Sequence, residues 1–341
     1  MRKSLYLLGL GALLIAACLP TTGEISPTVT EGGSIQVQPL ASETDAFSPL
    51  TTTESNPAQF EGTIVFYSDM AGNPDIYAIQ ADGSGLLQLT ADPASDDSPA
   101  LSLDGTQVAF LSARDDPNPQ FPNLKYEIYL VQVDGTGLTR LTTTAAAEDH
   151  PAWAPDGRRL LFDADYDGDG FYEIYSMAVD GTDLVRLTTG EHNDQFADWS
   201  PDGQQIAFAS DRNGGWDIFV MDAAGGDPQA LTTGKAWELF PAWSPDGEWI
   251  AYNTLTPGSR NTDIAVMDRS GGEVMQLTDA PGFDENPAWS PDGQWLAFQT
   301  ERTGDFQIFV MRPDGTAAQP LFACPSDALW PSWGSSPTLS D

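Results

Sequence analysis

The sequence predicts an all-β protein, a six-bladed β-propeller of four-stranded blades closed by its C-terminal strand. Three observations predict it. A phrase of the form Pro-Ala-Trp-Ser-Pro-Asp-Gly recurs at a period in the forties. Short apolar runs separated by tight-turn chemistry fill each period. The first repeat lacks an opening strand, and the last phrase is an opening strand with only a polar tail behind it.

The phrase stands at Pro151–Gly157, Ala197–Gly203, Pro241–Gly247 and Pro287–Gly293, with a weaker copy at Pro99–Gly105 and a stub at Pro331–Gly334. Trp153, Trp199, Trp243, Trp289 and Trp333 follow one another at intervals of 46, 44, 46 and 44 residues. Each unit reads as strands A to D. Strand A carries the Trp. The Ser-Pro-Asp-Gly that follows is a turn: Pro presets φ, Asp bonds back to the chain, and Gly tolerates positive φ. Strand B (Ile206–Ala209, for example) and strand C (Asp217–Met221) are nearly continuous apolar runs, as expected where neighbouring blades cover both faces. Strand D ends in Leu-Thr at Leu89, Leu141, Leu187, Leu231 and Leu277. Gly62–Tyr67 reads as a strand B without its own strand A, and Leu329–Gly334 supplies the missing one. Joining them leaves no open edge. The six A strands then centre on Leu101, Trp153, Trp199, Trp243, Trp289 and Trp333.

These repeats resemble the WD-like repeats of the TolB β-propeller family, over roughly residues 60–334. The resemblance implies a cell-envelope protein whose propeller binds a protein or peptide. That family carries an α/β domain ahead of its propeller. Here residues 19–59 are instead rich in Thr, Ser, Pro, Glu and Gly, which predicts a disordered tether. Residues 335–341 are a polar tail.

Residues 1–18 read as an export signal: Arg2 and Lys3, then an apolar run from Leu5 to Ala17 too short to span a bilayer. Ile15-Ala16-Ala17-Cys18 resembles the lipobox of bacterial lipoproteins, which implies a lipid on Cys18 and contact with the membrane through that anchor only. Fifty acidic residues face fourteen basic ones, for a formal net charge of −36. Such a surface repels phosphate backbones, so nucleic acid is excluded as a partner. Two cysteines, Cys18 and Cys324, do not make a disulfide scaffold. The chain is expected to be monomeric.

Variable loops on a rigid scaffold usually host function. Topology puts the B–C and D–A loops on one face, with Phe121, Tyr166, Trp216, Trp237, Phe283 and Phe306 among them, and the short A–B and C–D turns on the other. Five residues before each blade Trp, or its Leu101 counterpart, stands an acid: Asp96, Glu148, Asp194, Glu238 and Asp284. With Trp237 they are the expected partner-binding residues, ringing the channel mouth to receive an envelope protein or basic peptide; strand capping is the structural alternative. Arg114, Arg212 and Arg302 are expected to pair with acids between blades.

No Gly-x-Ser-x-Gly nucleophile is present, His150 and His192 lack metal-ligand spacing, and no catalytic residue is predicted. The alternative to a protein binder is a carbohydrate-binding or carbohydrate-active propeller. Calcium is the one cofactor the sequence suggests. Asp165, Asp167 and Asp169 alternate, Gly170 permits a sharp turn, Phe171 offers a carbonyl, and Glu173 could close the shell. A solvated acidic loop is the other reading of that stretch.

Overall fold

The computed structural model describes residues 60–117, 124–144 and 146–337. The export signal, Cys18, the tether and Phe121 lie outside the described residues.

Among the described residues, twenty-four strands form six four-stranded antiparallel sheets. The first blade holds β1 (Thr63–Ser68), β2 (Asp75–Gln80) and β3 (Leu87–Gln88). The second holds β4 (Asp96–Leu101), β5 (Gln107–Ser112), β6 (Glu127–Gln132) and β7 (Thr139–Arg140). Next come β8 (Glu148–Trp153), β9 (Arg159–Ala164), β10 (Glu173–Ala178) and β11 (Val185–Arg186). The fourth blade is β12 (Asp194–Trp199), β13 (Gln205–Ser210), β14 (Asp217–Asp222) and β15 (Gln229–Ala230). The fifth is β16 (Trp237–Trp243), β17 (Trp249–Leu255), β18 (Thr262–Asp268) and β19 (Val274–Gln276). The sixth is β20 (Asp284–Trp289), β21 (Leu296–Thr300), β22 (Gln307–Met311) and β23 (Gln319–Pro320). The last strand, β24 (Ala328–Gly334), pairs with β1, Thr63 opposite Gly334 and Ile64 opposite Trp333, and completes the first blade as the sequence predicts. The innermost strands touch in succession, β4 to β8, β12, β16, β20 and β24, and β24 returns to β4. They wall a central channel.

The repeat chemistry explains the regularity. In the turn after β12, Ser200 Oγ donates to Asp202 at 2.7 Å and accepts the Gln205 N–H at 2.9 Å, while Gly203 holds φ +68°. The Thr of each Leu-Thr closes the outer edge: Thr90, Thr142, Thr188, Thr232 and Thr278 accept a strand C N–H at 2.8–3.0 Å. Between strands B and C an aromatic pair sits in direct register in five blades, as with Phe208 and Phe219. The strand B member is fully buried at Phe66, Phe110, Phe162, Phe208 and Phe298, and each such burial contributes roughly 1.5–3 kcal/mol. Trp153 and Trp289 tie their blades to the preceding one, and Trp333 ties β24 to the chain that leads into β1 of its own blade. Trp153 Nε1 donates to the Ala100 carbonyl at 2.9 Å, Trp289 Nε1 to Ala242 at 3.1 Å, and Trp333 Nε1 to Glu61 at 3.0 Å.

Candidate binding channel

Strand pleating sends successive side chains to opposite faces. The residue five before each blade Trp or Leu101 therefore turns into its blade and the one after it turns towards the channel. Asp96, Asp194 and Asp284 are buried and bind Arg114 (2.8 Å), Arg212 (2.7 Å) and Arg302 (2.8 Å). Each Arg follows strand B of the same blade, so the pairs form within blades and not between them. Each guanidinium also lies over two rings of that blade, Arg212 at 4.7 Å from the Phe219 centroid. Glu148 accepts hydroxyls from Thr142 (3.1 Å), Thr144 (2.6 Å) and Tyr166 (2.8 Å). Glu238 has the Thr232 hydroxyl at 3.5 Å, and burial, reinforced by the Asp217 charge, pushes its pKa up to about 7. The five acids thus sit within the blades behind the mouth, with Trp237 half-buried beside Gly215. Ala328 stands at this position in the closing blade.

Three residues before each blade Trp or Leu101 the backbone changes hand. Ser98, His150, Phe196, Phe240, Asn286 and Trp330 all have φ between 47° and 58°, where L-residues rarely sit. A bulge accompanies each, shifting the register between strands A and B. Bulges re-aim side chains, and here they aim six into the channel. The rings pack into a plug. His150 lies 4.3 Å from Phe196, Phe196 4.0 Å from Phe240, and Phe240 5.4 Å from Trp330, on which His150 stacks at 5.8 Å and 18°.

On the loop side of the plug, His150 is clamped by carboxylates of two strands. Nδ1 is 3.1 Å from Asp163 Oδ1, and Nε2 is 3.4 Å from Asp149 Oδ1. Asp163 also takes Gln195 Nε2 (3.1 Å) and the Phe196 N–H (3.2 Å). Burial alone would lower the His150 pKa, but Asp149 and Asp163 outweigh it and hold the ring as an imidazolium, with a pKa of about 9. Burial raises Asp149 to about 6, and raises Asp97 to about 7 with the Asp149 charge adding to it. Tyr126 is hydrogen-bonded to Asp97. The acidic mouth is therefore built by the second residues of β4 and β8, one step beyond the predicted ring. Sequence reading missed His150. Its signal was register: it stands three residues before Trp153, where Phe196, Phe240 and Trp330 stand before theirs.

Beyond the plug, the channel widens into a cavity of about 540 Å³ that runs to the A–B turns. Its walls are Pro, Ala and Trp residues of the A strands, with Asp198 among them.

The Asp-rich loop comes together in part. Asp165, Asp167 and Asp169 bring carboxylate oxygens within 4.8 Å of one another. Asp165 caps Gly168 N (2.7 Å) and Gly170 N (3.0 Å), and Asp169 caps Phe171 N (3.0 Å). Arg186 of β11 holds Asp167 at 2.7 Å and is also bonded to Glu173, which opens β10 and is fully buried. Three of the predicted ligands thus lie close together, one of them paired with Arg186, while Glu173 is turned to Arg186.

Residues 167–334 match the family model described as the TolB beta propeller domain. The propeller is TolB-like. A TolB homolog from Chlorobium luteolum is 31% identical over 141 residues, which is 30% of this chain and 31% of that protein. The Tol-Pal system protein TolB of Geobacter sulfurreducens is 36% identical over 89 residues, 26% of this chain and 18% of its own length. These matches span about a third or less of the curated relatives. The crystal structure of TolB from Acinetobacter baumannii superposes with a TM-score of 0.67 at 24% identity, covering 80% of this chain and 66% of that one, a likeness of fold. The carbohydrate alternative finds no support in these comparisons.

Proposed function

We propose that this chain is an exported, lipid-anchored envelope protein whose TolB-like propeller receives a basic segment of a protein partner at the loop-side mouth of its channel. The observation that carries the reading is the half-open pair Asp97 and Asp149 above a plug held rigid by the His150 clamp and six left-handed backbone positions. Two carboxylates facing channel water, on a chain of net charge −36, attract and orient a cationic segment. The first acids of the A strands serve this reading indirectly, by fixing the strand starts that present Asp97 and Asp149. The name of the Geobacter sulfurreducens relative places that protein in the Tol-Pal system, which supports an envelope protein as the partner.

The test is recovery of partners by the tagged propeller from detergent-solubilised envelope, followed by association rates at rising salt. Asp97→Asn with Asp149→Asn should lose the partner or slow its association about tenfold at low salt. A partner retained by the double variant with an unchanged, salt-insensitive rate would move the binding surface elsewhere. Anchoring is tested separately: Cys18→Ser should shift the protein from the membrane to the soluble fraction.

A further inference from the structure

The cavity on the turn side of the plug lies opposite the loop-side mouth. In four of the six A strands its wall carries Ala at the position before the blade Trp or Leu101: Ala100, Ala152, Ala242 and Ala288. Small side chains there keep the channel open. Two blades depart from Ala. Ser332 accepts the N–H of Leu101 in the next blade at 3.0 Å. Asp198 accepts the N–H of Trp243 in the next blade at 2.8 Å. The backbone contact thus needs only one oxygen, and serine supplies it. Aspartate adds a negative charge that the contact does not need.

That charge has no cation of the protein to meet it. Among the described residues lining the cavity there is no Lys or Arg, and the other titratable group, His150, is already held by Asp149 and Asp163. Burial drives the Asp198 pKa up to about 7, with backbone N–H groups of Trp243 and Trp199 opposing it. A carboxylate kept ionised in an apolar, aromatic-walled cavity is costly, so Asp198 holds a proton to higher pH unless something cationic enters. Asp198 is half-buried, so channel water and solutes reach it. The A–B turns, whose Pro155, Pro201, Pro245 and Pro291 line the cavity, carry Asp104, Asp156, Asp202, Asp246 and Asp292 against Arg158, an acidic excess that raises the local concentration of cations. Trp199, Trp243 and Trp289 line the same space, and aromatic faces favour organic ammonium groups over hydrated metal ions. A volume of about 540 Å³ is in the range of small-molecule sites.

We infer that the turn-side cavity is a binding site for a small organic cation, an ammonium group on an apolar body, with Asp198 as its counter-ion. Entry is through the A–B turn face, so the site is independent of the partner mouth and both can be occupied together.

The experiment is calorimetric and NMR titration of the intact propeller with 4-phenylbutylammonium at mildly alkaline pH, beside the uncharged 4-phenylbutanol. The ammonium should bind saturably in the millimolar range or tighter, and the alcohol at least about tenfold more weakly. Asp198→Ser keeps an acceptor for the Trp243 N–H, as Ser332 shows for Leu101, and should remain folded while losing at least about tenfold in ammonium affinity. Asp198→Asn keeps the side-chain shape and should lose as much. Equal affinity for the amine and the alcohol, no saturable binding, or binding that both variants retain would overturn the site.

Discussion

The blades that begin with β4, β12 and β20 and those that begin with β8 and β16 all place an acid five residues before the blade Trp or Leu101, yet they neutralise it differently. In the first group an Arg from the end of strand B reaches back to the carboxylate and lays its guanidinium over two rings. In the second group no Arg stands at the equivalent position, which Tyr166 and Thr256 take. Glu148 is satisfied by three hydroxyls, and Glu238 by a single long one. The closing blade has no acid to satisfy, because Ala328 takes the position. Identical position in a repeat therefore does not mean identical charge. What decides is whether the blade supplies a partner to a group that burial would otherwise neutralise. Burial still holds Asp96 above the ordinary value despite Arg114, and it carries Glu238 to about 7.

The closing blade should show the largest effect. A chain ending before Asp327 loses β24, leaves β1 with an unpaired inner edge, and removes the buried Trp333. It should fail to give a cooperative melt. Trp333→Ala alone should cost about 3–5 kcal/mol in denaturant unfolding. A truncated chain melting with the full-length one would show that acid-free closure contributes nothing.

Removing the cation from an Arg-clamped blade comes next. Arg212→Met keeps the stem over Phe208 and Phe219 but leaves Asp194 buried without its partner. It should cost about 3 kcal/mol, and Asp194→Asn in the same chain should return part of that. If the single variant unfolds with the parent, the clamp is not what separates the two groups of blades.

Glu238 gives a smaller effect with a pH signature. Its folded pKa of about 7 stands above the ordinary 4.5, so the folded state holds the proton longer. Stability should fall as pH rises from about 4.5 to about 7, by on the order of 1 kcal/mol given its access to water. Glu238→Gln should flatten that slope and be the more stable form at alkaline pH. His150 acts in a different window. Its folded pKa of about 9 exceeds the ordinary 6.5, so its contribution is complete below about pH 6.5 and is lost as pH climbs through about 9. His150→Gln should remove the slope between those limits, and imidazole NMR shifts should follow the same titration. Identical slopes in parent and variant would show that the clamp does not hold a proton.

The smallest effect belongs to the Asp165–Asp169 loop. Calcium should bind in the millimolar range and weaken further in Asp167→Ala with Asp169→Ala, because Arg186 already competes for Asp167. Calorimetry showing no calcium heat, or equal heat in the variant, would leave the loop as a solvated acidic turn tied down by Arg186.

The sequence by itself determined the blade count, the turns, the buried B and C strands and the closure through Leu329–Gly334. Each of these is local or periodic, so the Trp spacing, the Ser-Pro-Asp-Gly turns and the orphan strand carry it directly. Tertiary structure alone decided which way the channel residues point. A side chain's face changes with every residue of a strand, and a bulge in each A strand shifts that count once more, so Asp97 and Asp149 reach the mouth while Asp96 and Glu148 turn inward. It also decided contacts between strands distant in the chain. His150 meets Asp163 across two strands of one blade, and Asp198 meets the backbone of Trp243 across a blade boundary. No spacing in the repeat encodes either contact, because each depends on how the inner strands are rotated about their axes once the ring has closed.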